Sequence, residues 1–280
     1  MPRPRYSPAE RPGTRLVHRH SLWTRTTHWT WAVCLFFLLL SGLQIFNAHP
    51  VLYVGEQSGF DFDNAVFRIG AEESAGTYRG VTDIFGWRID TTGLFGFSGS
   101  SLFPDFSALP DWAIMPSGQD LATGRIIHFF FAWIFVVTLL VWLIASLANG
   151  HLMRDLIPSA QDLKALPRDI ADHIRLRFHS GARYNVLQKL SYAIVLLVLM
   201  PVMIATGLAM SPGANAAFPF MTDLFGGRQT ARTVHFLAML LLVGFFVVHM
   251  AMVLAAGPVK QIRSMLTGRI RVETGKGDEA

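Results

Sequence analysis

At 280 residues, 51% of them hydrophobic and only 15% charged, the chain is too apolar for an ordinary soluble domain. Its formal net charge of +5 comes from basic residues gathered at the ends of apolar runs, a pattern of membrane topology that argues against nucleic acid as a partner. The single cysteine, Cys34, excludes an intrachain disulfide and reads as a small packing residue.

Residues 1–22, rich in Pro and Arg, predict a mobile cytoplasmic tail. Four uncharged runs follow, at 29–46, 126–148, 190–210 and 234–256, each within the roughly 17 to 25 residues that cross hydrocarbon at about 1.5 Å rise per residue. The first comes after a long basic tail, exceeds a typical signal-peptide core and lacks a small-x-small cleavage site, so it is expected to be retained. The expected fold is therefore an all-α membrane protein, a four-transmembrane-helix bundle spanning 23–256. Pro201 predicts a kink in the third helix.

Between the first two helices, residues 47–120 carry Phe60, Phe62, Phe67, Trp87, Phe95, Phe103 and Trp112, too many aromatics for a slack linker, and predict a small folded cap. Residues 47–125 hold ten Asp or Glu against four Arg, whereas 149–186 and 257–280 hold six and five Lys or Arg. By the positive-inside rule both termini and the 149–186 loop are cytoplasmic, and the long acidic loop faces the periplasm. Within the inner loop, Ser159-Ala-Gln-Asp162 resembles a capping box, opening a basic amphipathic stretch to Phe178 that suits the membrane surface.

The last run carries His235 and His249, fourteen residues apart. On a helix that spacing gives about 21 Å of rise and a rotation about 40° short of whole turns, so one face offers two ligands at two depths. An imidazole in hydrocarbon is costly unless it pairs, lines a cavity or binds a metal. Chain direction matches each with a second donor: His128 near the start of helix 2 with His235 on the outer side, and His28 at the start of helix 1 with His249 on the inner side. Two haems b, each held by two histidines, are the simplest occupants, bound noncovalently because no Cys-x-x-Cys-His occurs. His49, just after helix 1, competes with His128 for the outer position.

Arg25, Arg125 and Arg232 each precede one of these histidines by three residues, on the same helical face. They either meet haem propionates or simply mark where helices meet water. Gly42, fourteen residues after His28, offers a bare backbone to a porphyrin at the outer depth; Gly207 and Gly244 do likewise or serve helix packing. The remaining histidines, His18, His20, His151, His173 and His179, read as solvated. No catalytic triad, paired-carboxylate site or phosphate loop is recognisable. A transporter relaying protons through its histidines is the alternative from another class.

The segments TRTTHW (24–29) and GRIIHFFFAW (124–133), and the helix RTVH…VVHM with its two histidines fourteen apart, resemble a family of bacterial membrane cytochrome b subunits. That family groups the nickel-iron hydrogenase cytochrome b, the formate dehydrogenase gamma subunit, the thiosulfate reductase cytochrome b and bacterial cytochrome b561. The resemblance implies a dihaem electron wire in the bacterial cytoplasmic (inner) membrane, linking the quinone pool to a periplasmic oxidoreductase of the molybdopterin or hydrogenase type. Substrate chemistry then lies on the partner. The long outer loop departs from the shorter loops of many members, and the likeness leans to the thiosulfate-reductase branch, found beside molybdopterin enzymes. It also implies a quinone site beside the inner haem, for which His151 and Asp155 are the candidate proton donors in this chain. A stand-alone quinol oxidase of the cytochrome b561 kind is the alternative within the family.

Overall fold

The computed structural model describes residues 14–18, 20–59, 61–74, 76–99, 103–150, 152, 157–174 and 186–273. Four long apolar stretches are helical: α1 (Leu22–Asn47), α2 (Leu121–Ala148), the run Val186–Met210 and α8 (Arg228–Ala255). Each is long and apolar enough to cross a membrane. Helix α1 begins before its uncharged run because Ser21 caps it: the Ser21 hydroxyl accepts the Thr24 N–H at 3.1 Å, and the helix then continues through Arg25 and His28.

The third span is divided. Helix α4 (Val186–Ile194) passes through a π-helical turn at Val195–Leu199 into α5 (Met200–Met210). Proline has no N–H and its ring collides with the carbonyl four residues back, here Leu197, so the wider turn absorbs the misfit ahead of Pro201. The expected effect of Pro201 thus takes the form of a local change of helix type.

The all-α expectation is corrected in the 47–120 segment, which folds around an antiparallel sheet in the order β2 (Val51–Tyr53), β3 (Ala65–Ser74), β4 (Thr77–Ile84), β5 (Trp87–Asp90). Residues Phe67 to Ser74 pair with Ile84 to Thr77 in unbroken register. Two further short strands, β6 (Ser98–Gly99) and β7 (Pro104–Asp105), also pair. Gly96 is required where the chain passes over β3: its φ is +80°, and a Cβ there would stand 2.1 Å from the Gly70 carbonyl oxygen.

The described residues fall into two compact units, within Trp31–Val141 and Ile194–Val243 for one, and within Met1–Thr30, Trp142–Ala193 and Gly244–Ala280 for the other. In the first, the cap is fixed to the ends of α1 and α8. Phe46, Leu52, Ile69, Ala108, Leu109 and Ile114 form a buried cluster, with Phe236 of α8 packed against it. The Gly55 carbonyl accepts the N–H groups of Gln229 and Thr230, satisfying donors left over at the start of α8, while Thr233 bonds the Tyr53 carbonyl at 2.7 Å.

In the second unit, Ser159 and Asp162 form a reciprocal capping box at the start of α3 (Ala160–Ile174): Ser159 N–H donates to the Asp162 carboxylate at 2.9 Å, and Asp162 N–H to the Ser159 hydroxyl at 3.1 Å. Asp162 also pairs with Lys189 of α4 at 3.1 Å. The amphipathic stretch read as far as Phe178 is helical to Ile174; Phe178 lies outside the described residues. Of the segment read as a mobile tail, Thr14–His18 forms β1, paired antiparallel with β8 (Arg269–Glu273), which follows α9 (Pro258–Thr267). Short helices α6 (Pro212–Ala217) and α7 (Phe220–Leu224) connect α5 to α8.

Candidate metal centres

Two pairs of histidines face one another, and α8 contributes one member to each. His128 on α2 and His235 on α8 have ring centroids 6.5 Å apart with planes inclined at 60°. His28 on α1 and His249 on α8 have centroids 6.4 Å apart at 53°. An imidazole nitrogen lies about 2 Å from a metal it ligates and about 1.2 Å from its ring centroid, so two rings on opposite sides of one ion would have centroids roughly 6.4 Å apart. Both pairs fit that spacing. Among the described residues no three His, Cys, Asp or Glu side chains gather around one point, so each pair would offer a metal two protein donors. That number leaves a structural zinc site short of ligands and would suit a haem iron.

Hydrogen bonding fixes the tautomer of the first pair. Ser41 Oγ lies 3.1 Å from His128 Nδ1, and Thr206 Oγ1 2.9 Å from His235 Nδ1. Each hydroxyl has one proton, which it donates to its own helix, Ser41 to the Phe37 carbonyl at 2.6 Å and Thr206 to the Val202 carbonyl at 2.7 Å. The hydroxyls therefore accept, Nδ1 of each ring carries the hydrogen, and Nε2 is left with its lone pair for a metal. Ser41 and Thr206 are both 0% exposed, so water does not compete for these bonds. Neither hydroxyl stands out in the sequence, although each directly precedes one of the glycines singled out there.

Those glycines seat the rings. A Cβ at Gly42 would come within 3.3 Å of His128 Cε1, and one at Gly207 within 3.6 Å of His235 Cε1. Gly42 thus packs against an imidazole. At Gly244 an added Cβ would meet nothing within 4 Å.

The second pair is held differently. Phe245 stacks on His249, with centroids 5.8 Å apart and planes at 19°, and Trp29 meets His28 edge-on at 5.4 Å. His28 Nδ1 is buried with no hydrogen-bond partner among the described residues.

The three arginines divide. Arg25 donates to the Leu266 carbonyl at the end of α9, and Arg232 to the His49 carbonyl, with its guanidinium 6.0 Å from the Phe46 ring. Both anchor distant segments to the helices that carry histidines. Arg125 is exposed and lies 5.9 Å over the Phe129 ring. His49 bonds the Tyr53 hydroxyl at 3.1 Å and stacks on that ring; burial, and then the nearby Arg232 charge, push its imidazole below the usual histidine value. It is occupied by the cap, while His235 faces His128. His18 is exposed, and the backbone of His173 lies in α3; His151, Asp155 and His179 lie outside the described residues.

The sequence pattern of the prokaryotic cytochrome b561 family matches residues 19–268. A protein of Azospira oryzae, provisionally named protein-methionine-sulfoxide reductase subunit YedZ1, is 26% identical over 236 residues, covering 84% of this chain and 89% of that protein. The family match runs through all four apolar helices and every histidine of the two pairs. The chain is a multi-pass membrane electron-transfer protein that binds haem b, and it belongs to the prokaryotic cytochrome b561 family.

Proposed function

We propose that the chain is a dihaem subunit of the bacterial cytoplasmic membrane, carrying electrons between the quinone pool and a periplasmic oxidoreductase of the molybdopterin or hydrogenase type. The observation that carries this reading is the pair of histidine couples, each at the centroid separation of two axial ligands on one metal, sharing helix α8. His128 and His235 would hold one haem b, each through the Nε2 left free by its Nδ1 hydrogen bond, and His28 and His249 would hold the other. Bound haem supplies a one-electron iron couple. The protein contributes the rest: apolar helices that keep water from the ligands, hydroxyls that fix two of the four rings, and Gly42 and Gly207, which let those rings pack close. The open space beside Gly244 suits the approach of a macrocycle. Arg125 and the guanidinium N–H groups that Arg25 and Arg232 do not spend on carbonyls are the propionate partners.

The charge counts support a cytoplasmic position for both tails, 1–22 and 257–280, and for the 149–186 loop, with the 47–120 cap on the periplasmic side. The cap's exposed aromatics, Trp87, Phe103 and Trp112 among them, support a docking role. The name of the YedZ1 relative, a reductase subunit, supports a partner that carries the substrate chemistry. Quinone exchanges electrons on the cytoplasmic side, beside His28 and His249.

The test is a reduced-minus-oxidised spectrum with haem-to-protein stoichiometry on the purified chain. Two haems b per chain are expected; no haem b α band, or a single haem, refutes the reading. Co-purification of a periplasmic oxidoreductase with the tagged chain tests the partner.

A further inference from the structure

The hydrogen bonds divide the two histidine pairs into unlike sets. His128 and His235 each direct their Nδ1 hydrogen at a buried hydroxyl, at 3.1 and 2.9 Å, with the Leu38 and Met203 backbone carbonyls as second acceptors. His28 has a buried Nδ1 with no such acceptor among the described residues. The acceptors are rigid, because Ser41 and Thr206 are tied by their own hydrogens to carbonyls one helical turn back. They also occur as a matched device on two helices, a hydroxyl residue followed by glycine: Ser41-Gly42 against His128 and Thr206-Gly207 against His235. In each, the hydroxyl takes the ring hydrogen while the adjacent bare backbone lets the ring edge come close.

A hydrogen-bond acceptor on Nδ1–H fixes the ring's orientation and raises its basicity toward the metal. An imidazole enriched in this way stabilises the iron more before it gains an electron, as Fe(III), than after, as Fe(II). The couple Fe(III) + e⁻ → Fe(II) then lies at lower potential. Two such acceptors, one on His128 and one on His235, would act on one haem iron.

We propose that Ser41 and Thr206 are positioning residues that strengthen both ligands of one haem and hold its midpoint potential below that of the other. This rests on the dihaem reading above. The pairs therefore serve as two unequal electron sites, and the difference is written into two hydroxyls on α1 and α5, which carry no ligand to that haem. Ser41→Ala removes one acceptor, and Thr206→Val removes the other with little change of shape. Thr206→Ser keeps it.

The test is a potentiometric titration of the purified, haem-loaded full-length chain, followed at the haem b α band and resolved into two one-electron waves. Ser41→Ala and Thr206→Val each move the lower-potential wave to higher potential and leave the other in place, movement of the upper wave instead overturning the proposal; the double variant moves the lower wave further, and Thr206→Ser behaves as wild type. Haem release from that site quickens on the order of 10-fold in Thr206→Val, as is usual when a ligand loses its supporting hydrogen bond. Two haems retained with neither wave moved overturn the assignment. So do shifts of different waves by the two variants, shifts of both waves together, or an equal shift in Thr206→Ser. A wild-type chain with fewer than two haems overturns the dihaem reading itself, and is distinguished by stoichiometry before any variant is titrated.

Discussion

Adding one methyl group at Gly42 and one at Gly207 makes a controlled comparison, because both glycines lie in apolar helices and face an imidazole edge. Helix propensity changes alike in the two, and cancels. The difference is contact: the new Cβ stands 3.3 Å from His128 Cε1 and 3.5 Å from Nδ1 in the first case, but 3.6 and 4.0 Å from the same atoms of His235 in the second. Optimal carbon–carbon separation is about 3.5 to 4.0 Å, so Gly207→Ala makes an ordinary contact while Gly42→Ala forces the His128 ring to give way by a few tenths of an ångström. Overpacking of this kind costs about 1 to 3 kcal/mol, which is roughly 5-fold to 150-fold in binding if it falls on the ligand. Haem transfer from each purified variant to excess apomyoglobin reads this out. Gly42→Ala is expected to lose one of its two haems faster by a factor in that range, with the second unaffected, and Gly207→Ala to match wild type. Equal haem release from the two variants would refute the contact argument, and faster loss from Gly207→Ala would reverse it.

His235→Ala removes one haem of two and His249→Ala the other, read by stoichiometry and by which titration wave survives; equal loss of both haems in each variant would disprove the pairing. At Gly268, φ is +75° and a Cβ would come within 2.6 Å of the His20 carbonyl oxygen, so Gly268→Ala is expected to destabilise the α9–β8 corner by about 1 to 3 kcal/mol, seen as faster proteolysis at residues 268–273. The Asp162 carboxyl is held below its usual range first by the Ser159 backbone N–H, then by Lys189 and the Ser159 hydroxyl. Because its folded value is depressed, its contribution is complete above an unfolded value of about 3.9 and is lost as pH falls through the folded one. Pepsin cleavage within 160–174, scanned from about pH 5 to about pH 2 and divided at each pH by the cleavage of an unstructured peptide of the same sequence, is expected to rise at the acid end, while Asp162→Asn shows no such transition in that ratio.

The membrane-spanning helices were legible because an uncharged run of that length seldom arises outside a bilayer, and the histidine pairs because helical rise converts a spacing of fourteen into two levels. The capping box at Ser159 was legible because its two partners lie within one turn of each other. Ser41 and Thr206 were not, since a lone hydroxyl in an apolar helix ordinarily bonds its own backbone, and only the packing of α1 on α2 and of α5 on α8 reveals a second partner. Gly42 was singled out from its spacing to His28, whereas its contact with the His128 ring emerges only from the packing of α1 on α2. The sheet in the cap was hidden because β3 and β4 alternate weakly and are interrupted by glycine, and the pairing of Thr14 with Glu273 joins residues too remote for any local pattern.

The sheet order ends on β5, and among the described residues no strand pairs with its far side. All four of its residues are exposed, Trp87 at 80%. Such a margin invites lengthening by any extended peptide. Arg88 stands in the middle of this border, bound to Glu72 at 3.0 Å and to Asp83 at 3.7 Å, and the cluster sets charge where a neighbouring backbone would have to settle. Exchanging that guanidinium for valine strips the guard away and leaves Trp87, Val and Ile89 in a row. The concentrated protein in detergent would then grow edge to edge into oligomers.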